Sequence, residues 1–371
     1  MDKRIMSKIG EEVSRLGMGL MRLPTGEAGI DFEAAQAMID RLIESGVTYF
    51  DTAYFYHNRE SETFANKALL SRHKRDSFTI ATKMPLNIVR DTGVTAQAFF
   101  DAQAKKLGAD VIDFYLLHGL RGASIAESEQ LGAFDVLRKM KKDGRLRYYG
   151  FSYHGTTEDF PKVLDSFDWD FCQIQLNYYD WAAGDAKPLY EAALARNVPI
   201  VVMEPVRGGG LANCNAEVTR VFKDANPGAS VASWALRWCG TLPGVDVVLS
   251  GMSDMAQTEE NINLFSPLKP LTDEEQSVID KAMDAFRKLD LIPCTECNYC
   301  DKCPQGIAIP RLFKGRNDVV RFGSSFYLQE YKKTEPPEKQ VSACVECGAC
   351  EAICPQSIDI IKRIKGIYAA L

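Results

Sequence analysis

Eight of the eleven cysteines in this 371-residue chain lie close together, in two runs of regular spacing. The runs are Cys294-x2-Cys297-x2-Cys300-x2-Cys303-Pro and Cys344-x2-Cys347-x2-Cys350-x3-Cys354-Pro. Thiolates are the ligands of iron–sulfur clusters, and three of them at two-residue gaps can wrap one corner of a cuboidal cluster. Structural zinc also uses four cysteines, but zinc ribbons normally separate two Cys-x2-Cys pairs by a longer loop. The spacing therefore favours iron–sulfur clusters, with zinc as the alternative.

Residues 291–371 resemble the two-cluster ferredoxins in this spacing and in the proline after each run. In that family the cysteine before the proline ligates the other cluster, because it lies too far round the backbone to reach its own. The first run departs from the family pattern, since two residues rather than three precede its last cysteine. The resemblance implies one [4Fe–4S] cluster on Cys294, Cys297, Cys300 and Cys354, and a second on Cys303, Cys344, Cys347 and Cys350.

A second group of polar side chains lies far from the cysteines: Asp51, Tyr56, Lys83 and His118. A free tyrosine has a pKa of about 10, too high to exchange protons readily at neutral pH. A lysine ammonium against its oxygen would lower that pKa, and a carboxylate would hold the lysine charged. A histidine could then orient a carbonyl for protonation as hydride arrives. Tyr54 is the alternative proton donor, and the spacing from Asp51 favours Tyr56.

Two kinds of segment alternate up to about residue 270 and must position those side chains. Short runs rich in β-branched and aromatic residues predict strands, and segments of helical periodicity lie between them. Eight strands followed by helices imply a parallel sheet, so a closed (β/α)8 TIM barrel is the leading prediction, with its active site at the C-terminal strand ends. An open doubly wound sheet is the alternative. The predicted strands are Leu16–Met21, Val47–Asp51, Phe78–Thr82, Val111–His118, Leu146–Ser152, Phe171–Leu176, Ile200–Glu204 and Val245–Ser250.

The helical periodicity predicts the segments that cover the sheet and suggests where the domains divide. A capping box begins a further helix near Asp273. We therefore predict a barrel over residues 1–272, a connecting helix over 273–290 and a small ferredoxin-like iron–sulfur domain over 291–371. The other predicted helices are Phe32–Glu44, Glu127–Lys142, Ala186–Arg196 and Ala229–Cys239.

The barrel segment, roughly residues 10–270, contains the motifs Asp51-Thr-Ala with Tyr56, Thr82-Lys83, Leu116-Leu-His118, Gly150-Phe-Ser152, Gln173-Ile-Gln175 and Glu260-Asn261. In these motifs it resembles the aldo/keto reductases. That resemblance implies reduction of a small carbonyl compound, or oxidation of an alcohol, with NAD(P)H. It makes Tyr56 the general acid, Lys83 the group that adjusts its pKa, and Asp51 the partner of Lys83, while His118 orients the carbonyl.

Cofactor contacts follow from the same resemblance. Ser152 and Gln173 would face the nicotinamide amide. Members that prefer NADPH usually carry basic residues after the eighth strand to hold the 2′-phosphate, whereas residues 251–261 of this chain contain no Lys or Arg. The other predicted cofactor-binding residues of that stretch are Gly251, Ser253, Gln257 and Asn261. Arg207 is a further candidate, because Arg207-Gly-Gly-Gly-Leu after the seventh strand could form a phosphate-binding or lid loop, and a flexible loop of no catalytic role is the alternative.

The two parts together resemble a subgroup of aldo/keto reductase-like proteins with a ferredoxin-type C-terminal domain. Nicotinamide delivers two electrons as hydride, whereas a cluster carries one at a time. Three functions stay open on this evidence. The barrel could reduce a carbonyl with NAD(P)H while the clusters are structural or regulatory. It could bind a flavin (FMN) that the clusters connect to ferredoxin or another redox protein. It could also be a redox sensor or electron carrier without turnover.

Composition limits the partners and the compartment. The net charge of −6 argues against a broad nucleic-acid surface. No stretch approaches the roughly 20 apolar residues that span a bilayer, and the first residues lack the apolar core of a secretory signal. Clustered cysteines in a large chain of this kind fit a reducing compartment. We expect a cytoplasmic protein that acts on a small molecule, with neither a nucleic-acid nor a membrane partner.

Overall fold

The computed structural model describes residues 1–27 and 29–369. Contacts between residues divide the chain into two compact units. The first, here called the barrel unit, comprises Met1–Arg207 and Ser233–Asp273. The second, called the C-terminal unit, comprises Gly208–Ala232 and Glu274–Leu371.

The barrel unit is built on eight parallel strands that close into a barrel, so the predicted (β/α)8 fold is confirmed and the open-sheet alternative is wrong. Each strand pairs with its sequence neighbours, and the eighth pairs with the first. The strands are β1 (Leu16–Gly19), β2 (Tyr49–Asp51), β3 (Thr79–Met84), β4 (Ile112–Leu120), β5 (Leu146–Tyr153), β6 (Phe171–Gln175), β7 (Ile200–Met203) and β8 (Val245–Ser250).

Helices follow the strands as the periodicity predicts, with one correction. The predicted helix Glu127–Lys142 is two helices, because Gly132 has a φ of 65° that no helix can continue through. None of the helices in the described part of the chain combines the length and the hydropathy that a bilayer-spanning segment requires. The helices that lie in or enter the barrel unit are Phe32–Glu44, Ser61–Ala65, Leu86–Thr92, Ala96–Leu107, Ser124–Gln130, Ala133–Lys142, Phe160–Asp165, Tyr178–Ala183, Ala186–Ala195, Val231–Thr241 and Met255–Leu264.

Apolar side chains fill the barrel interior and leave only one end for chemistry. Tyr49, Phe114 and Phe171 pack there with less than 2% of their surface exposed. An antiparallel hairpin formed by Lys3–Ile5 and Glu12–Ser14 precedes β1, and Met6 and Val13 join the same cluster. Because the interior is a packed core, functional groups must gather at the C-terminal ends of the strands.

The C-terminal unit has its own apolar core, in which Leu312, Phe313 and Tyr331 are almost completely buried. Six of the eight cysteines pack against this core, namely Cys294, Cys300, Cys303, Cys344, Cys350 and Cys354. Asn215, from the segment that follows β7 in sequence, also belongs to this unit: its backbone N–H donates to the Arg321 carbonyl at 2.9 Å. The helices of the unit are Ala216–Ala225, Asp273–Arg287, Ile309–Phe322, Phe326–Thr334, Ala349–Ala352 and Ile360–Ala369.

Candidate active site and cluster sites

The four predicted catalytic side chains come from three neighbouring strands and the loop after β2. Asp51 ends β2, whereas Lys83 and His118 lie inside β3 and β4, which run further than the sequence predicts. Lys83 Nζ donates to Asp51 Oδ1, to the Thr52 carbonyl at 2.9 Å and to the Tyr56 hydroxyl at 3.4 Å. The Lys83 and Asp51 side chains are 1% and 2% exposed. The fold thus places the lysine between a carboxylate and a phenol.

Tyr56 rather than Tyr54 reaches this lysine. The Tyr54 ring packs against Phe55 and Phe99 at centroid distances of 5.3 and 5.2 Å. The Arg59 guanidinium lies 4.9 Å from the Tyr54 ring centroid. Tyr54 is therefore engaged in apolar and cation–π packing, and the geometry favours Tyr56 as the proton donor.

Burial and charge compete at this site. Burial acts to lower the pKa of Lys83, but the Asp51 carboxylate and the Tyr56 hydroxyl overcome it and raise that pKa above its ordinary value. Burial raises the pKa of Tyr56, and the Lys83 charge opposes this without cancelling it. As the sequence predicts, the lysine charge acts to lower the pKa of Tyr56. The net pKa of the phenol nevertheless lies above its ordinary value, because the cost of desolvating the phenolate exceeds the effect of the lysine charge.

His118 faces the same phenol and is kept uncharged. Its ring centroid lies 6.4 Å from that of Tyr56, with the two rings nearly perpendicular. Burial and then the Lys83 charge lower the pKa of His118 to about 3. Its buried Nδ1 atom has no hydrogen-bond partner within residues 1–27 and 29–369. A neutral imidazole with an open nitrogen can orient a polar ligand without adding a charge.

We expect His118 to stay neutral at pH 5 and above in ¹⁵N NMR spectra of the folded protein. Its folded pKa lies below the unfolded value of about 6.5, so the unfolded chain binds more protons between the two values. The contribution of His118 to the free energy of unfolding is fully present above pH 6.5. As the pH falls below that value, this contribution decreases by at most about 1.4 kcal/mol per pH unit. In His118→Gln the free energy of unfolding should depend less on pH over this range. Titration of His118 near pH 6.5 in the wild type would contradict this expectation.

Ser152 and Gln173 lie side by side on β5 and β6, as paired residues of the barrel. Gln173 Oε1 is buried and has no hydrogen-bond donor within the part of the chain that the structure describes. The Ser152 hydroxyl accepts a hydrogen bond from the Gly119 N–H at 2.8 Å, which leaves its own proton available. One open acceptor beside one open donor fits the carboxamide of a nicotinamide ring, which presents both N–H and C=O groups.

Four predicted cofactor residues follow β8: Gly251 and Ser253 lie in the loop, and Gln257 and Asn261 lie in the helix Met255–Leu264. Asp254 caps the helix Met255–Leu264 by accepting from the Gln257 N–H at 2.8 Å, and Gln257 Nε2 donates to the same carboxylate at 2.8 Å. Gln257 Oε1 accepts from the Ser253 N–H at 3.0 Å. Asn261 Nδ2 donates to the Ser250 hydroxyl. The loop is therefore ordered by its own polar groups, and the group at the helix N-terminus is a carboxylate.

Arg207 belongs to a hydrogen-bonded group of polar side chains that follow β6 and β7. Its Nε donates to Asp180 Oδ1 at 3.0 Å, and its guanidinium lies 5.3 Å from the Tyr179 ring centroid. Asp180 also accepts from Asn177 Nδ2 at 2.8 Å. The structure thus gives Arg207 a positioning role in this group, while contact with a cofactor stays a prediction.

Glu204 is a candidate that the sequence reasoning passed over. It directly follows β7 with a φ of 53°, and its carbonyl accepts from Asn177 Nδ2 and from the Arg207 N–H. Desolvation and the nearby Asp180 raise the pKa of its carboxyl. The signal was present, because the predicted seventh strand ends on this polar residue, as the predicted second strand ends on Asp51. Backbone strain at such a position is typical of functional sites.

The eight cysteines of the C-terminal unit surround two cavities, each with about 330 Å³ of empty volume that is partly open to solvent. Each cavity combines three cysteines of one run with the last cysteine of the other. Burial raises the pKa of Cys300 to about 11. No group of three or more His, Cys, Asp or Glu side chains in the described residues could hold a single metal ion. The cysteines that line the first cavity are Cys294, Cys297, Cys300 and Cys354, and those that line the second are Cys303, Cys344, Cys347 and Cys350.

The two runs share a backbone conformation that shapes these cavities. Glu296 and Asn298 in the first run have φ values of 55° and 63°, and Glu346 and Gly348 in the second have 55° and 75°. Left-handed residues at matching positions turn the backbone of each cysteine run around its cavity. Apolar side chains such as Phe313 close the opposite wall of the first cavity. A ring of four thiols around a cavity of this kind fits a [4Fe–4S] cluster.

Comparison with protein families finds two matches, one for each of the two groups of candidate residues. The aldo/keto reductase family matches residues 15–284. A 4Fe-4S dicluster domain matches residues 293–358. The second match favours iron–sulfur over zinc for the cysteine runs, and none of the comparisons supports a flavin.

Individual relatives and solved structures resemble about three quarters of the chain. The uncharacterized oxidoreductase YqkF of Bacillus subtilis is 26% identical over 78% of this chain and 98% of its own length. L-galactose dehydrogenase of Arabidopsis thaliana is 23% identical over 74% of this chain and 91% of its own. The holo form of aldo-keto reductase AKR11C1 from Bacillus halodurans superposes with a TM-score of 0.62 at 24% identity, over 76% of this chain and 96% of that one. An aldo-keto reductase from Klebsiella pneumoniae in complex with NADPH has a TM-score of 0.59 at 19% identity, over 76% and 95% of the two chains.

Proposed function

Because the chain belongs to the aldo/keto reductase family and carries a 4Fe-4S dicluster domain, we propose that its barrel reduces a small carbonyl compound with NAD(P)H. The reverse oxidation of an alcohol would follow the same path. One observation carries the proposal: Lys83 Nζ contacts Asp51, the Thr52 carbonyl and the Tyr56 hydroxyl together. These groups can deliver a proton to a carbonyl oxygen.

Each side chain has a defined task in this proposal. The nicotinamide, when bound, supplies the hydride. Tyr56 donates its proton to the carbonyl oxygen, and the Lys83 charge stabilises the phenolate that this leaves. Asp51 keeps Lys83 charged and oriented, and neutral His118 orients the carbonyl. Ser152 and Gln173 hold the carboxamide and thereby fix the face of the ring.

We further propose that the eight cysteines hold two [4Fe–4S] clusters, which would supply one-electron chemistry to the C-terminal unit. Carbonyl reduction by hydride requires no one-electron carrier, so the clusters act as structural or regulatory groups in the main proposal. A role in electron exchange with ferredoxin or another redox protein is the second candidate. The exposed position of Cys297 and Cys347 favours it, because a partner needs a short path to each cluster.

The proposal is tested with protein purified without oxygen, by following oxidation of NADH and NADPH in the presence of a panel of aldehydes and ketones. We expect turnover with at least one carbonyl compound. Reduced ferredoxin is tested in parallel as the electron donor. Absence of nicotinamide oxidation, together with rapid oxidation of reduced ferredoxin, would overturn the main proposal in favour of the second.

NADH rather than NADPH is the expected coenzyme, because the loop after β8 is acidic. Asp254 caps the helix N-terminus, and residues 251–261 contain no Lys or Arg. A 2′-phosphate held there would meet a like charge. The variant Ser253→Arg should raise the ratio of kcat/KM for NADPH over NADH about tenfold, as one charge-assisted hydrogen bond would. The neutral Ser253→Gln should not change this ratio, and a wild-type preference for NADPH would contradict the expectation.

A further inference from the structure

Three consecutive residues directly after Tyr56 have left-handed backbone conformations. The φ values of His57, Asn58 and Arg59 are 48°, 52° and 74°. Non-glycine residues rarely adopt this conformation, and it persists only where the surrounding structure holds it. The loop that carries the proton donor therefore depends on contacts made elsewhere in the barrel unit.

Lys106, in the last turn of the helix Ala96–Leu107, holds the far end of this loop. Its ammonium donates to the Arg59 carbonyl. The same ammonium lies 3.3 Å from Glu62 Oε2, so Lys106 connects the strained loop to the Glu62 carboxylate. The loop is thus fixed at one end by β2 and at the other by this bridge.

Glu62 is a completely buried carboxylate that also accepts a hydrogen bond from a residue of β3. Its Oε1 accepts from the Thr82 hydroxyl at 2.7 Å and from Gln103 Nε2 at 2.6 Å. Gln103 Nε2 lies 3.0 Å from the carbonyl of Lys83 and donates to it as well. The Tyr115 hydroxyl donates to Gln103 Oε1 and orients that amide. Through these bonds Glu62 holds both Lys83 and the residue before it.

Ser61 makes hydrogen bonds to the residues that directly follow β1 and β2. Its hydroxyl donates to the Leu20 carbonyl at 3.1 Å and shares a 2.8 Å hydrogen bond with the Thr52 hydroxyl. The Thr52 carbonyl is one of the three acceptors of the Lys83 ammonium. Two adjacent residues therefore position β3, which carries Lys83, and the end of β2, where Asp51 and the Thr52 carbonyl accept from its ammonium.

We propose that Ser61 and Glu62 are positioning residues that set the Lys83 ammonium against the Tyr56 hydroxyl. A buried carboxylate contributes little net stability even when it is paired. What it provides at this position is fixed geometry, and displacement of a catalytic group by about 1 Å can cost about a hundredfold in rate. The inference rests on the proposed function of the barrel.

Glu62→Ala tests the pair, with NADH and 4-nitrobenzaldehyde as the probe substrates. We expect kcat to fall about 10- to 100-fold with little change in KM, and the basic limb of the kcat–pH profile to move to higher pH. Glu62→Gln keeps an acceptor for Thr82 and Gln103, so it should recover part of the rate. Should the alanine variant not fold, Ser61→Ala carries the test, because it removes the contacts to Thr52 and Leu20 and should lower kcat and move the basic limb in the same direction.

A second readout does not depend on turnover. In protein labelled with ¹³C at tyrosine Cζ, the Tyr56 signal is identified by its loss in Tyr56→Phe. Glu62→Ala should move this signal toward that of an isolated tyrosine, since the ammonium no longer lies against the oxygen. If Tyr56→Phe retains full activity, the proposed function fails, while this signal still reports on the positioning pair.

Asp113 supplies the matched control. Its side chain is 3% exposed, it pairs with Arg75 and Arg147, and it accepts from the Ile80 N–H, at the opposite end of the same strands. Asp113→Asn should lower the melting temperature but leave the kcat–pH profile and the Tyr56 signal unchanged. The inference is overturned if Glu62→Ala leaves both readouts at their wild-type values, or if Asp113→Asn shifts them equally.

Discussion

Replacement of Tyr56 by phenylalanine is expected to lower kcat about 10²- to 10⁴-fold, the usual contribution of a general acid. The change removes one oxygen that receives a hydrogen bond from Lys83 at 3.4 Å and leaves the Lys83–Asp51 pair in place. Because only the proton donor is lost, KM for the coenzyme should change little. The measurement is steady-state oxidation of NADH with a carbonyl substrate, together with the iron content of the same preparation.

Tyr54→Phe is the matched control for this prediction. Tyr54 lies two residues away, but its ring packs against Phe99 and beneath Arg59, and it makes no hydrogen bond to Lys83. The variant should keep near wild-type kcat and its full iron content. Loss of activity in Tyr54→Phe with retention in Tyr56→Phe would reverse the assignment of the proton donor.

Removal of cysteines in pairs is expected to divide the iron content according to cavity rather than according to sequence. Cys303 and Cys350 line one cavity although they come from different runs. The double variant Cys303→Ala/Cys350→Ala should therefore lose about four of about eight iron atoms. Cys300→Ala/Cys303→Ala, which affects both cavities, should lose nearly all of them. Iron, acid-labile sulfide and zinc are measured on protein prepared without oxygen.

The outcome separates three accounts of the cysteine runs. If each run held its own cluster, Cys300→Ala/Cys303→Ala would disrupt only the first cluster and keep half of the iron. Cys303→Ala/Cys350→Ala would then disrupt both clusters and lose all of the iron. If the runs held zinc, sulfide would be absent from the wild type. Electron paramagnetic resonance of the reduced protein should show the spectrum of two interacting clusters in the wild type and of a single cluster in Cys303→Ala/Cys350→Ala.

Parts of the candidate site could be predicted because they depend on local pattern. In a parallel barrel the C-terminal ends of the strands meet at one edge, so polar residues at successive strand ends must converge. This rule placed Asp51, Lys83 and His118 together, although two of their strands run further than predicted. Glu204 was missed because the rule was applied to the second, third and fourth strands and not to the seventh.

Other features depend on residues that are distant in sequence. Glu62 resembles any surface glutamate in a short polar segment, and nothing in its neighbours predicts that Thr82 and Gln103 will enclose it. The division of Glu127–Lys142 into two helices came from the backbone of Gly132. The grouping of residues 208–232 with the C-terminal unit is likewise a property of tertiary contacts.

The sequence favours a closed barrel over an open sheet, and it supplies the acid–base residue types and the two thiolate-rich runs. These follow from periodicity and spacing, which act over a few residues. The tertiary structure places Tyr56 rather than Tyr54 against Lys83, and Cys354 and Cys303 each in the cavity of the other run, as the sequence predicts. It alone sets the direction in which the pKa of Tyr56 moves and the enclosure of Glu62. Those outcomes depend on burial and on distances between segments far apart in the chain, because desolvation and Coulomb energies are set by the whole surrounding fold.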